Sequence, residues 1–168
     1  MSDNTTDFDV IIIGGGPSGA TAAHEIAIAG HRVLLLERAF RIKPCGGAIP
    51  PCLLGEFDIP RSLLKAEIQS ARMISPKEQK VDMPIDGTFV GMVDRDEFDP
   101  WLRQRAQHAG AELEIAAFKK LEYLDSSTIE VTYITKDADT ETKTATARCV
   151  LGADGARSRV AKQGIPKY

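Results

Sequence analysis

Four groups of residues in this sequence combine types and spacing that chemistry can use. Gly14-x-Gly16-x-x-Gly19 lies between an apolar run, Val10–Ile13, and an alanine-rich stretch. In such a turn the first glycine allows a tight bend, the second lets backbone approach a pyrophosphate, and the third lets helix and strand pack closely. The helix that opens there offers unpaired N–H groups and a partial positive charge to the anion. Glu37 closes the next apolar run, where its carboxylate can accept ribose hydroxyls, a charged hydrogen bond worth about 1.5–3 kcal/mol. The same charge opposes a 2′-phosphate. Asp154, in G152-A-D-G-A-R-S, follows a third apolar run and can hold a second ribose or ribityl hydroxyl. Cys45 precedes Gly46-Gly47, a thiol on a loop where two residues lack the side chains that would block a flat ligand. One long ligand touching both glycine turns suits FAD better than NAD.

These groups need a scaffold, and the hydrophobic pattern supplies one. Val10–Ile13 reads as a buried parallel strand, Ala20–Ala29 as a helix ending on Gly30, and Arg32–Leu36 as the next strand, together one βαβ unit. Prolines and glycines interrupt residues 41–62. Three strand-like runs follow, Ile68–Ile74, Gln79–Met83 and Thr88–Val93, separated by turn residues at S75-P-K-E and D86-G. They read as an antiparallel excursion from the parallel sheet. Asp94–Ala109 reads as a helix with Phe98, Leu102, Ala106 and Ala109 on one stripe and Gly110 as its stop. A short strand over Leu113–Ala117, a Thr-rich hairpin over 121–147 and a strand at Cys149–Leu151 complete the pattern. No closing helix is expected after the last glycine turn, so the chain reads as cut short. The fold class is α/β, a Rossmann-like nucleotide-binding domain with an antiparallel β excursion. Its expected segments are 1–48 for the βαβ unit and the Cys-Gly-Gly loop, 49–93 for the excursion, and 94–168 for the remainder.

Composition narrows the partners. With 168 residues, 43% of them hydrophobic, the chain can bury one sizeable core. A net charge of −3 offers no basic field for nucleic acid. The three cysteines, Cys45, Cys52 and Cys149, are odd in number and lack metal-ligand spacing, which argues against a disulfide framework and against a metal site. Residues 1–9 are polar and acidic, unlike a secretory or transit peptide, and no apolar run approaches the roughly 20 residues of a spanning helix. A reducing, cytoplasmic setting fits. His24, His31 and His108 read as surface or packing residues, and Arg157 and Arg159 either as contacts for a diphosphate or NADPH or as a solvated basic turn. Met73, Met83 and Met92 line either a greasy cavity or the core.

The motifs G14-G-G-P-S-G, L36-E-R, M92-V-D-R-D-E-F-D-P-W-L and G152-A-D-G-A-R-S together resemble the FAD fold of the p-hydroxybenzoate hydroxylase class. Within it, R41-I-K-P-C-G-G-A-I-P-P, F57-D-I-P, M73-I-S-P-K and F89-V-G-M-V-D-R are similar to the geranylgeranyl reductases of chlorophyll and bacteriochlorophyll formation. Members of that family are longer. The resemblance implies FAD as cofactor, NADPH as reductant, and as substrate a geranylgeranyl chain, carried as the diphosphate or on chlorophyllide, reduced towards phytyl. It implies that Gly14, Gly16, Pro17, Ser18 and Gly19 meet the FAD pyrophosphate, and that Glu37 and Arg38 meet the adenosine ribose. Arg95 reaches the cofactor, and Gly152, Asp154 and Gly155 form its second contact. Cys45, Gly46 and Gly47 lie beside the flavin ring, with Cys45 positioning it or supplying a proton to the reduced carbon. Peripheral contact with a photosynthetic membrane is implied as well. The alternatives are a flavin monooxygenase on the same scaffold and a non-catalytic FAD- or lipid-binding fragment.

Overall fold

The computed structural model describes residues 6–40, 45–136 and 140–165. Lys43 and Pro44 of the K43-P-C-G-G-A-I motif and the turn at 137–139 lie outside the described residues. In chain order the elements are β1 (Phe8–Ile13), α1 (Pro17–Ile28), β2 (Val33–Glu37), β3 (Ala48–Ile49), α2 (Cys52–Glu56), a 3₁₀ turn (Arg61–Leu63) and β4 (Leu64–Ile68). Then come β5 (Ser70–Ile74), β6 (Lys80–Pro84), β7 (Val90–Val93), α3 (Arg95–His108), β8 (Glu112–Tyr123), β9 (Ile129–Thr135), β10 (Thr142–Gly152) and α4 (Arg159–Gly164). The chain divides into two compact units, residues 1–41 with 99–168, and residues 42–98, so that the boundary falls inside α3.

The first unit is built on β1 and β2, whose unbroken Ile and Leu runs suit strands covered on both faces. β1 pairs in parallel with β2 on one side and with the second half of β10 on the other, Phe8↔Ala147 through Ile13↔Gly152. The first residues of β8 extend this sheet beside β2, Leu34↔Glu112 to Glu37↔Ile115. From Ala116 onward β8 pairs antiparallel with β9, and β9 pairs with the first half of β10. Both long strands thus serve two pairings, and the order β1-β10-β9-β8-β2 closes on itself. Ile11, Ile13, Leu34 and Leu36 pack against Phe118, Leu121, Val131 and Tyr133 inside the ring. Each such side chain stabilises the fold by about 1.5–3 kcal/mol. α1 packs on β1 and β2 through its buried Ala20, Ala23 and Ala27.

Several expectations need correction here. The strand expected at 113–117 runs for 12 residues, because Phe118 and Leu121 still face the core after pairing with β2 ends. The Thr-rich strand and the Cys149–Leu151 strand are one continuous β10. The run 68–74 breaks at Gln69, so β4 joins β7 while β5 joins β6. A short helix, α4, does follow the last glycine turn, with Ser158 as its N-cap accepting from the Ala161 N–H at 2.9 Å.

The second unit holds a three-stranded sheet, β3-β7-β4, and the β5–β6 hairpin. In the hairpin Ala71 faces Met83 and Met73 faces Val81, so these four apolar side chains share one face. The opposite face carries the Arg72–Asp82 ion pair, Nε to Oδ1 2.6 Å. Met73 and Val81 are 60% and 59% exposed, so neither core nor enclosed cavity describes the hairpin methionines; Met92, on β7, is half-buried. No helix among the described residues is long and apolar enough to cross a membrane.

Asp7, just before β1, ties the two ends of the sheet. Its carboxylate accepts from the Thr146 N–H at 2.8 Å and from the Thr146 hydroxyl at 2.7 Å, and its own N–H donates to Thr146 Oγ1 at 3.0 Å. The bonds from Thr146 hold the Asp7 carboxyl below its ordinary pKa of 3.8. A carboxyl depressed by folding stabilises above its unfolded pKa, and that contribution is lost as pH falls through the folded value. Thermal melts should therefore show the midpoint falling below about pH 4, and Asp7→Ala should lower it at neutral pH while flattening that acid dependence.

Candidate cofactor-binding site

Two turns meet at the carboxyl ends of β1 and β10. Gly14 has φ +110°, and a Cβ there would lie 2.4 Å from the Ala153 carbonyl oxygen. The Gly14 N–H donates to Leu36 O at 2.8 Å and the Ala153 N–H to Ile13 O at 2.8 Å, which fastens the turns to both neighbouring strands. A Cβ on Gly19 would sit 1.8 Å from the Gly14 carbonyl oxygen and 3.1 Å from Ala153 Cβ. Gly14 and Gly19 are thus required by protein–protein packing alone. Gly16 differs: its backbone is extended, and a Cβ would meet nothing within 4 Å. It is the N-cap of α1, with no side-chain cap, Pro17 next, and no acidic residue in the first turn. Ser18 is exposed on that turn. An uncapped helix start facing open space is suited to a phosphate.

Glu37 stands at the end of β2 with both oxygens fixed by backbone. Oε2 accepts from the Gly15 N–H at 2.6 Å and Oε1 from the Ala39 N–H at 3.0 Å. Carboxylate oxygens carry further lone pairs, which remain for a ribose. Beside it lies Arg103 of α3, a residue the sequence reading passed over. Its Nη1 donates to the Gly15 carbonyl at 3.1 Å, and its guanidinium stacks 4.6 Å from the centroid of Phe40. Burial draws the Arg103 pKa down, while the charges of Asp99 and Glu37 oppose that shift. The spacing of Asp99 and Arg103, one helical turn apart, was the available signal. Arg38 is exposed.

Asp154 serves two ends. Oδ2 accepts from the N–H groups of Arg159 and Val160, at 2.6 and 3.4 Å, and so anchors the start of α4. Oδ1 is buried without a hydrogen-bond partner among the described residues. Burial pushes the carboxyl up, but bonds from the Ser158 hydroxyl and from the Arg159 and Val160 N–H groups hold it below its ordinary value. An ionised oxygen left unpaired in a buried place calls for a donor, and a sugar or ribityl hydroxyl is one. Gly155 has φ +85°, which a side chain would strain, and a Cβ on Gly152 would press on Val160 Cβ at 3.0 Å. Arg159 is exposed, and its Nη1 donates to Phe118 O at 3.3 Å.

Gly14, Gly16, Pro17, Ser18, Gly19, Glu37, Arg38, Gly152, Asp154 and Gly155 all lie in the first unit, whereas Cys45, Gly46, Gly47 and Arg95 belong to the second. Cys45 and Cys52 of that unit are exposed, as is Cys149 in the first, and none is in a disulfide. Gly46 has open space around it, but Gly47, at φ +70°, would place a Cβ 2.1 Å from the Val93 carbonyl oxygen. Its carbonyl is also structural, since Gly47 O accepts from the Val93 N–H at 2.8 Å. Gly47 therefore answers to β7. Arg95 is half-buried at the first position of α3, just after Asp94, whose Oδ1 accepts from the Asp96 N–H at 2.9 Å. His24 Nδ1 lies 2.9 Å from Glu25 Oε1 and 3.0 Å from Arg105 Nη2, a packing and hydrogen-bonding role. No cluster of potential metal ligands occurs among the described residues.

A parallel sheet with a glycine turn, an acid closing the second strand, and a meander returning to an Asp-bearing turn defines a dinucleotide-binding domain of the flavoprotein type. Comparison with known proteins makes this specific. Residues 9–49 match the FAD dependent oxidoreductase family and residues 60–165 match the FAD binding domain family. The chain belongs to the FAD binding domain family. It is 54% identical over 153 residues to a geranylgeranyl diphosphate reductase of Rhodobacter capsulatus, covering 91% of this chain and 39% of that protein. It is 38% identical to the chloroplastic geranylgeranyl diphosphate reductase of Nicotiana tabacum, covering 95% of this chain and 36% of the relative. The crystal structure of a geranylgeranyl bacteriochlorophyll reductase-like protein from Thermoplasma acidophilum superposes with a TM-score of 0.76 at 27% identity, covering 88% of this chain and 39% of that one. The expected likeness to geranylgeranyl reductases holds, and the chain spans less than two fifths of the length of these three relatives.

The glycines separate folding from binding. Gly19→Ala should destabilise the domain by more than about 3 kcal/mol, as backbone must move to admit the methyl. Gly16→Ala should change stability by no more than about 1 kcal/mol, yet weaken FAD retention by crowding the approach of the pyrophosphate. Thermal melts without FAD, paired with FAD titrations of both variants, check this.

Proposed function

We propose that this chain is the FAD-binding part of an NADPH-dependent reductase acting on the double bonds of a geranylgeranyl chain, carried as the diphosphate or on chlorophyllide. The observation that carries the proposal is the contact of two glycine turns under an uncapped helix start, with an unpaired Asp154 oxygen beside them. The 54% identity to the Rhodobacter reductase supports the substrate class. When bound, FAD supplies hydride chemistry, taking reducing equivalents from NADPH and passing them to an alkene.

The residues of the chain bind and orient. Gly16 and the N–H groups of α1 hold the pyrophosphate, Glu37 the adenosine ribose, and Asp154 Oδ1 a further hydroxyl. The Cys45–Gly46 loop and Arg95 are assigned to the flavin end, with the Cys45 thiol as the group that moves a proton to the substrate. NADPH visits rather than resides, since the sequence holds one complete dinucleotide fingerprint. Contact with a photosynthetic membrane, where the substrate chain would be found, is assigned as peripheral.

Anaerobic spectroscopy tests the reading. After reduction by NADPH, adding geranylgeranyl diphosphate should restore the oxidised flavin spectrum without oxygen. Reoxidation that waits for oxygen would mean a monooxygenase instead. Cys45→Ser should slow substrate-driven reoxidation by about tenfold or more, and an unchanged rate would remove Cys45 from the proton path.

A further inference from the structure

We infer that Arg103 is a positioning residue of the FAD site, holding Glu37 and Gly15 in the geometry that recognises the adenosine ribose. The inference rests on the assignment of this site to the ADP half of FAD. Gly15 is held on both sides, its N–H by Glu37 and its C=O by Arg103. Its N–H donates to Glu37 Oε2 at 2.6 Å, and its C=O accepts from Arg103 Nη1 at 3.1 Å. Both side chains flank Gly15: a Cβ there would lie 2.9 Å from Glu37 Cβ and 3.3 Å from Arg103 Cδ. Arg103 is only 8% exposed, with Phe40 stacked on its guanidinium at 4.6 Å.

A buried guanidinium costs free energy unless it is paired and hydrogen-bonded. Here the Gly15 carbonyl accepts from it, and the negative charges of Asp99 and Glu37 oppose the effect of its burial. The consequence for binding lies in direction rather than charge alone. Oε2 is committed to Gly15 and Oε1 to Ala39, and Arg103 holds the Gly15 carbonyl beside the N–H that Oε2 accepts. The lone pairs that remain therefore point one way before any ligand arrives, and preorganisation of this kind raises affinity by removing an ordering cost. Without Arg103 the carboxylate keeps its charge but gains rotational freedom, and the Gly15 carbonyl is left to turn. The effect on FAD should run through Glu37.

Ribose discrimination separates this role from a merely structural one. In the wild-type protein, ADP should bind more tightly than 2′-deoxy-ADP, because Glu37 accepts the 2′-hydroxyl. In Arg103→Met that preference should shrink, FAD should bind roughly 10- to 100-fold more weakly, and Glu37→Gln should add little to the loss in the double variant. Arg103→Lys retains the cation and should recover part of the preference, and it stands in if Arg103→Met does not fold by circular dichroism. Equal weakening of ADP and 2′-deoxy-ADP in a folded Arg103 variant would overturn the inference, as would unchanged FAD binding. A wild-type protein that binds FAD but shows no ribose preference overturns the Arg103 role alone. One that binds neither FAD nor ADP overturns the cofactor assignment with it.

Discussion

Backbone touching backbone at the ends of β1 and β10 is the constraint from which the rest of the domain follows. A single methyl on Gly19 would fall inside the Gly14 carbonyl oxygen, so α1 can leave β1 along this path only because both residues lack side chains. That path fixes the direction of α1 and aims its uncapped N–H groups into open space. It also brings the Asp154 turn to the same corner, through the Ala153 N–H bonded to Ile13. Two segments remote in sequence meet with no side chain between them, and the acceptors Glu37 and Asp154 are carried in by the strands on either side.

The legibility of this arrangement in the sequence was uneven for physical reasons. β1, α1 and β2 could be read because glycine spacing, apolar runs and an acid all report the same unit. β8 could not be read to its full length, because a strand that changes partner midway from a parallel to an antiparallel neighbour keeps no single periodicity. α4 is too short for an amphipathic pattern, and its Ser158 cap was the one sign of it. Arg103 escaped because an arginine in a helix ordinarily reads as solvated. Its burial depends on Glu37 and Phe40 arriving from elsewhere in the chain. Gly47 was legible as a glycine that something approaches closely, and the Val93 carbonyl of β7 is one such group.

The two units divide labour in their surfaces as well as in their residues. The first has a closed ring of strands and a filled core, and at its glycine turns stand Asp154 Oδ1, buried without a hydrogen-bond partner among the described residues, and the uncapped start of α1. The second presents an amphipathic hairpin with Met73, Val81 and Met83 outward on one face. Polar groups awaiting hydroxyls and phosphate suit a nucleotide, whereas pliable thioethers suit a greasy surface that changes shape.

Closing the ring of strands has a consequence for how the molecule is made. Asp7 and Thr146 bond across 139 residues of sequence, so β1 emerges from the ribosome long before β10 exists to cover its second edge. At about 5–20 residues per second that interval is on the order of ten seconds. During it β1 lacks the strand that covers its second edge in the folded domain. Delivery of β10 supplies the missing strand, the Thr146 latch and the Asp154 turn in one stretch of polypeptide. The cofactor site therefore comes into being at the same moment as the finished core, and not before it.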